Sequence, residues 1–464
     1  MSIISAIFDA GKTYNFNQAF GVNDITTSEM KAAIKDWYDL YYDNKATAYE
    51  DPCQRLPVAI VAKLYKAIFS EYKAEATGAK VEFVDGVINA LDSIRKKATQ
   101  QMLIGGNCFI KPLLTEPLTF GIINRKNYMT LARSSDGSIT DIGTAEQTRD
   151  NGVLYTLLER RTVDAGGYLT IETKLYRSSD GAALGVEVPL DTLDKYAALE
   201  PLVTLPQPVF SVGLIPFNSP AENCVDGSAD AVSVYAAAAG LIHNINRNEA
   251  QINTEFENGR SRIIVSEDML DKGADGKKRL TDTVFMAVDE QPDDVGITIF
   301  SPALREQSFL NRKTEYLRNI EGLIGLKRGL LSEVEAAERT ATEITSSAGE
   351  YNLTLIDFQQ EWERVVREAV RVSNIIGQIY NLTDSAGVDP DKDITVSWGN
   401  GILYDEDQVW ADYKALVAAN MLKPEIALGW YFDMPVETER DLVKIREKYM
   451  PVEQPVDDGD SGEV

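Results

Sequence analysis

Residues 229–258, ADAVSVYAAAAGLIHNINRNEAQINTEFEN, and residues 305–324, REQSFLNRKTEYLRNIEGLI, decide the fold. The first stretch has no proline, and its Ala238, Ile242, Ile245, Glu249, Ile252 and Phe256 alternate at steps of four and three. That spacing predicts one helix from Ala229 to about Asn258. At about 1.5 Å per residue it would be a rod on the order of 45 Å long. Its remaining faces carry Asn244, Asn246, Asn248, Gln251 and Asn253. So narrow an apolar stripe requires neighbours along one side and water along another. The second stretch predicts a further helix, with Leu310, Leu317, Ile320 and Ile324 apolar. Between the two, Arg260 to about Pro302 reads as a compact α/β insert with strands at Arg262–Val265, Val284–Val288 and Ile297–Phe300. Two rods flanking such an insert can run side by side and present it at their far end.

Upstream, the first hundred residues read as helical. Ser28 is the expected cap of a helix carrying Ile34, Trp37, Tyr38 and Tyr41. Val58, Val61, Leu64 and Ile68 follow Pro57, and a third stripe runs through Val84, Val87, Leu91 and Ile94. The character changes at Gly105-Gly106. From Asn107 to Phe217 short β-type runs, including Val153–Arg161 and Tyr168–Arg177, alternate with turn signals at Asp136-Gly137, Asn151-Gly152, Gly166-Gly167 and Asp180-Gly181. This spacing predicts an antiparallel meander.

Downstream, Gly322, Gly325 and Gly329 interrupt the helical pattern around Lys327-Arg328, which predicts a loop. Tyr351, Leu355, Phe358, Trp362, Val365, Ala369, Val372, Ile376 and Ile379 then keep strict four-three alternation, the signature of a long helix. A strand at Ile394–Trp398 and two or three short helices follow. The last fourteen residues contain five acids and no base, and read as a disordered tail.

Composition removes several chemistries. The 464 residues hold 46 basic and 72 acidic side chains, a net charge of −26. Such a chain lacks the basic footprint of a sequence-reading nucleic-acid binder, although it could surround nucleic acid without gripping it. The single histidine, His243, supports no multi-histidine metal site and reads as a polar-face side chain. Cys53, Cys108 and Cys224 form no CxxC and suit a reducing compartment. Gly11-Lys12-Thr13 lacks the earlier glycine of a phosphate-binding loop, and Asp389-Pro390-Asp391-Lys392-Asp393 has Ile394 where a calcium loop needs glycine. No apolar run reaches the length of a membrane span, and no secretory signal is expected at the start. The residues point to no enzyme and no cofactor. The basic residues are the more informative feature: between Arg305 and Arg328 they reverse the local sign of an acidic chain, and Lys277, Lys278 and Arg279 form a second cluster.

In order, these features resemble a bacteriophage portal protein, in the branch found in long-tailed phages of Gram-positive hosts. The resemblance rests on residues 208–218, PVFSVGLIPFN, then Asp226-Gly227-Ser228, and the long helix ending in residues 256–260, FENGR. It continues through Arg262–Val265, residues 267–270 (EDML) and residues 339–344, RTATEI, at the start of the longest helix. It covers nearly the whole chain, and its specificity lies in the order of the motifs.

The resemblance implies an α+β portal fold in a ring, usually of twelve copies, around a central channel. The implied division is a wing at 1–227, a first stem helix at 228–259, a clip at 260–303 and a second stem helix at 304–326. A tunnel loop at 327–342, a long helix at 343–381, a strand returning to the wing at 382–404, a crown at 405–450 and the acidic tail at 451–464 complete it. The implied function is passage of double-stranded DNA at one capsid vertex during packaging and ejection, with no hydrolysis by the chain itself. DNA carries about one phosphate charge per 1.7 Å, so a mostly acidic wall keeps it mobile while a few basic rings make brief, sequence-blind contacts. Those contacts are expected at Lys327, Arg328 and Arg339 of the tunnel loop and at Arg312, Lys313 and Arg318 of the stem. Lys277, Lys278 and Arg279 are expected to serve docking at the clip. The implied partners are further copies of the chain, the terminase large subunit, major capsid and scaffold proteins, and head–tail connector proteins. The implied location is the virion, with the host cytoplasm during assembly. Another oligomeric virion or scaffold protein, or a carboxylate-dependent cytosolic enzyme, are the alternative readings.

Overall fold

The computed structural model describes residues 14–42, 52–78, 80–113, 118–179, 184–209, 211–259, 262–265, 270–272, 278–280, 297–300, 303–332, 341–380, 387–398, 406–419, 421–432, 434–436 and 438–450. Two units divide the chain, residues 1–398 and residues 399–464.

The first unit starts with α1 (Tyr14–Phe20), α2 (Ser28–Tyr42), α3 (Leu56–Ile68), β1 (Lys73–Ala76) and α4 (Val81–Gly105). The apolar steps read from the sequence are the buried faces: Ile34, Trp37 and Tyr38 on α2, Val61, Leu64 and Ile68 on α3, Val84, Val87 and Leu91 on α4. The cap of α2 is Thr27 rather than Ser28. Its Oγ1 accepts the Met30 N–H at 3.1 Å and its carbonyl accepts the Lys31 N–H, while the Ser28 hydroxyl turns to Glu29.

Strands β2 (Asn107–Leu113) and β3 (Thr119–Asn124) pair with each other, and β10 (Ile215–Asn218) completes their three-stranded sheet. Between β3 and β10 run β4 (Tyr128–Arg133), β5 (Ile139–Asp150), β6 (Val153–Val163), β7 (Tyr168–Ser178), β8 (Val186–Val188) and β9 (Leu202–Pro208). They form one antiparallel sheet in the order β4-β5-β6-β7-β8, with β9 also on β7, as the turn spacing predicts. Asp150 faces Val153 across the β5–β6 hairpin, and both central residues, Asn151 and Gly152, have positive φ. That is the two-residue turn an Asn-Gly pair favours, because its twist matches the strands. Phe16 of α1 packs on this sheet, against Gly143, where a Cβ would stand 2.3 Å from the ring.

The largest departure from the sequence reading lies before α5 (Ala239–Asn258). Residues 229–238, expected to be helical, form irregular chain to 233 and a turn from 234 to 238. The cause is tertiary. The Val234 N–H and the Ser233 hydroxyl both donate to the Leu103 carbonyl, at 3.1 and 3.0 Å, and the Tyr235 hydroxyl donates to the Trp37 carbonyl at 2.9 Å. This segment crosses the end of α4 at Gly106, where φ is +82° and a Cβ would lie 2.4 Å from the Ala231 carbonyl. Just upstream, Asp226 accepts from the Thr27 hydroxyl, the Ser228 N–H and the Asn223 amide, tying the Asp226-Gly227-Ser228 turn to the start of α2. Burial would raise the Asp226 carboxyl, but these donors bring it down to about 2. The rod is therefore about 30 Å long rather than 45.

After α5, β11 (Arg262–Val265) pairs antiparallel with β14 (Ile297–Phe300), and β12 (Leu270–Lys272) with β13 (Lys278–Leu280). The strand expected at Val284–Val288 lies outside the described residues. Helices α6 (Glu306–Ile324) and α7 (Ala341–Ile379) follow, then β15 (Ile394–Ser397), which pairs with β1 near the other end of the chain. Helix α7 supplies the central core: Phe358, Trp362, Val365, Val366 and Ala369 are buried, and the Trp362 ring lies 5.2 Å from Phe217 and 5.5 Å from Phe69.

The second unit holds α8 (Glu406–Ala418), α9 (Pro424–Tyr431) and α10 (Glu439–Tyr449). Ala427, Leu442 and Ile445 are buried, the buried Glu425 pairs with Arg446, and Thr438 caps α10. Gly11-Lys12-Thr13, Asp180-Gly181 and the acidic tail lie outside the described residues.

Candidate functional site

Helices α5 and α6 form an antiparallel pair closed at the insert end. There the Arg305 guanidinium forks onto Glu255, Nε to Oε1 at 3.0 Å and Nη2 to Oε2 at 2.7 Å, and Gly259 leaves room for Leu304. Each helix buries few side chains, Ile242, Ile245, Asn248 and Ile252 on α5, Ile320, Glu321 and Ile324 on α6. Asn248 sits in the seam, and its amide donates to the Phe309 carbonyl at 3.2 Å. The rest of both helices is wet, as the narrow stripes predict.

Along one side of the pair runs a groove of about 550 Å³, lined by Asn244, Arg247, Asn248, Gln251, Arg305, Ser308, Phe309, Arg312 and Tyr316. Three arginines and no carboxylate line it, in a chain of net charge −26. Arg312 stacks its guanidinium 4.6 Å from the Tyr316 ring centre and bonds to Glu315 at 2.7 Å.

Arg312, Lys313 and Arg318 do not share a face. Successive helical residues turn by about 100°, so Lys313 lies about 100° and Arg318 about 240° around from Arg312. Arg312 and Arg318 are exposed. Lys313 is half-buried and committed, its Nζ 3.0 Å from Glu249 Oε2 and 3.2 Å from Gln54 Oε1. Lys278 and Arg279 lie on β13, opposite Lys272 and Asp271 in register. Lys277 and Arg339 lie outside the described residues.

Helix α6 stops at Gly325, whose φ is +71° and whose Cβ position would lie 2.4 Å from Thr354 Oγ1. Lys327, half-buried, and Arg328, exposed, come directly after. Neither forms an ion pair among the described residues. The turn that carries them wraps around Glu321, which is fully buried. Glu321 Oε1 accepts the N–H groups of Gly329 at 3.1 Å, Leu331 at 2.5 Å and Ser332 at 2.9 Å, and Oε2 accepts the Ser332 hydroxyl at 2.8 Å. Glu321, Arg247 and Asn248 are residues the sequence reading does not single out. A buried acid followed eight and eleven residues later by Gly329 and Ser332 is the only signal that could have found the first.

His243 Nε2 lies 2.9 Å from Asp36, an exposed pair that joins α5 to α2. The Asp389 carboxylate holds the Lys392 ammonium at 2.7 Å, so the calcium-like spacing folds around a side-chain cation. Among the described residues no cluster of His, Cys, Asp and Glu could hold a metal ion, and no helix is long and apolar enough to cross a membrane.

A family model described as phage portal protein, SPP1 Gp6-like, matches residues 124–448. The chain belongs to that portal family. Members are structural components of the virion rather than enzymes, which agrees with the incomplete Gly11-Lys12-Thr13 motif. A search of curated proteins gives no match. Among solved structures, the portal-family chain is similar to a chain in the neck of a native GTA particle computed with C12 symmetry. The identity is 12%, the TM-score 0.46, and the alignment covers 92% of this chain and 99% of the other. The matched span of the portal family takes in the meander from β4 onward, α5 and α6, the insert between them and α7.

Proposed function

We propose that this portal protein closes into a ring, most simply of twelve copies, at one capsid vertex, and that double-stranded DNA passes through it during packaging and ejection. The observation that carries the reading is the family match across a pair of long, half-wet helices flanking a small β insert. Helices that bury so little within one copy are suited to standing beside copies of themselves.

In this reading residues 1–227 and β15 make the wing, and the β1–β15 pairing supports that grouping. Helices α5 and α6 are the stem, with Arg260 to Pro302 the clip between them. Lys327 begins the tunnel loop, α7 follows, and the second unit is the crown. Passing DNA meets a wall of net negative charge with sparse bases: Lys327 and Arg328 at the loop, and Arg312 with Arg247 and Arg305 in the stem groove. Arg318 stands on another face, and Lys313 serves the helix pair rather than DNA. The clip, through Lys277, Lys278 and Arg279, would dock the terminase large subunit and later the head–tail connector proteins, while the wing would meet capsid and scaffold proteins. The finished ring belongs to the virion, and its assembly to the host cytoplasm.

Imaging of purified protein by negative stain, with particle mass measured alongside, tests the reading. Rings with a central opening wide enough for a duplex are expected. Compact monomers under every condition that assembles other virion rings would refute it.

A further inference from the structure

A fully buried carboxylate with no cationic partner among the described residues needs another reason to be there. Glu321 has one: every donor on it comes from the turn that carries Lys327 and Arg328. Just past the helix, the Leu326 N–H donates to the Glu321 carbonyl at 2.8 Å, which closes the helix end. Its side chain then gathers the N–H groups of Gly329, Leu331 and Ser332 and the Ser332 hydroxyl onto two oxygens. Charge-assisted bonds of this kind are about twice as strong as neutral ones, and several converge here on one buried acceptor. From the other side, Lys63 of α3 donates to the Leu330 carbonyl. The stretch from Gly325 to Ser332 is thus folded around one side chain, and it carries the half-buried Lys327 and the exposed Arg328.

We propose that Glu321 is the positioning residue for Lys327 and Arg328, setting where their charges stand relative to the DNA. This rests on the reading of those bases as DNA contacts. Glu321 touches no DNA itself. It acts by giving the turn a single arrangement, so that each copy in the ring presents its two charges at the same height.

The test uses the assembled full chain and two variants. Glu321→Gln keeps the shape but replaces one acceptor oxygen with a donor that faces N–H groups. Ser332→Ala removes one donor only and serves if the first variant does not assemble. Hydrogen exchange at the Gly329, Leu331 and Ser332 amides is expected to quicken roughly ten- to a hundredfold in Glu321→Gln, and less in Ser332→Ala, with the middle of α6 unchanged. DNA packaged into particles carrying Glu321→Gln should fall to the level given by Lys327→Gln with Arg328→Gln, and combining all three should cause no further loss. A residue with a general structural role would instead add its defect to theirs. Unchanged exchange, or additive losses, would overturn the positioning role alone. Normal packaging by the Lys327→Gln/Arg328→Gln ring would overturn the DNA-contact reading and the positioning role with it.

Discussion

Lys313 Nζ lies 3.0 Å from Glu249 Oε2, bridging α6 to α5, and the same ammonium reaches Gln54 just before α3. A base expected from the sequence to meet DNA is held in a joint between two helices of one copy. Its side chain keeps 29% of its exposure and Glu249 keeps 25%, so water screens the pair only partly. Lys313→Gln is expected to cost about 1 kcal/mol, and a double-mutant cycle with Glu249→Gln to give a coupling of roughly 0.5–1.5 kcal/mol. Limited proteolysis of the α5–α6 pair reads the loss. DNA affinity and its salt dependence should stay as in the parent protein, and a change there would return Lys313 to the channel.

Arg247 and Arg312 make the opposite case. Both are exposed on the groove, and neither closes the helix pair as Arg305 does through Glu255. Replacing both with glutamine should leave thermal stability within about 0.5 kcal/mol of the parent, as for ordinary surface changes. Binding of a short duplex should weaken for any sequence, and the slope of log affinity against log salt should fall by about 0.9 for each phosphate no longer neutralised. Titration of two unrelated duplexes at several salt concentrations decides it. An unchanged slope, together with altered ring size, would assign the groove to packing between copies.

What the sequence shows and hides follows from where each signal originates. Helix α7 is legible because its core face repeats along one element, from Leu355 through Phe358 and Trp362 to Ile376. The β5–β6 hairpin is legible because Asn151-Gly152 imposes its own turn. The start of α5 is not, because residues 229–238 have good helix formers that lose to three bonds reaching back to Leu103 and Trp37. The site is less legible than the fold. Charge in a sequence has no direction, so Arg312, Lys313 and Arg318 look alike until the helix turns them apart. The Glu321 cage is nearly silent, since three of its four donors are backbone N–H groups that any residue could supply.

Glu159 offers a test of the antiparallel sheet through pH. It lies buried on β6 with Lys111 Nζ 2.8 Å from Oε2 and Arg161 Nε 2.6 Å from Oε1. Burial alone would raise its carboxyl, but Arg161 and Lys111 outweigh that and bring it down to about 2, from an ordinary 4.5. A depressed carboxyl stabilises the folded state above its unfolded value and loses that contribution as pH falls through the folded one. Roughly 3 kcal/mol of the first unit's stability should therefore be present at neutral pH and disappear between about pH 4.5 and 2. Glu159→Gln leaves Arg161 buried beside a neutral amide and should cost about 3–5 kcal/mol at pH 7. Thermal melts of parent and variant across that pH range should converge at the acid end, and parallel curves would refute the assignment.

Arg161 also bears on a strained piece of backbone just before β10. Its Nη1 holds the Val212 and Gly213 carbonyls at 3.2 and 3.3 Å, and Ser211, Val212 and Gly213 all have left-handed φ, at 45°, 54° and 67°. For a side-chain-bearing residue that conformation costs about 1–2 kcal/mol. Gly213 escapes the cost, and a Cβ there would lie 2.6 Å from Leu169. Val212 is fully buried, so removing its side chain trades strain for a cavity, and Val212→Gly should be a net loss of about 1–2 kcal/mol. Ser211 is only half-buried, and its carbonyl keeps the Leu214 N–H bond whatever the side chain. Ser211→Gly should therefore stabilise the first unit by about 1 kcal/mol, raising its melting temperature by about 2 °C. Opposite signs for two neighbouring glycine substitutions are a sharper test than either value. If Ser211→Gly also destabilises, its hydroxyl supports the turn by more than the strain it imposes.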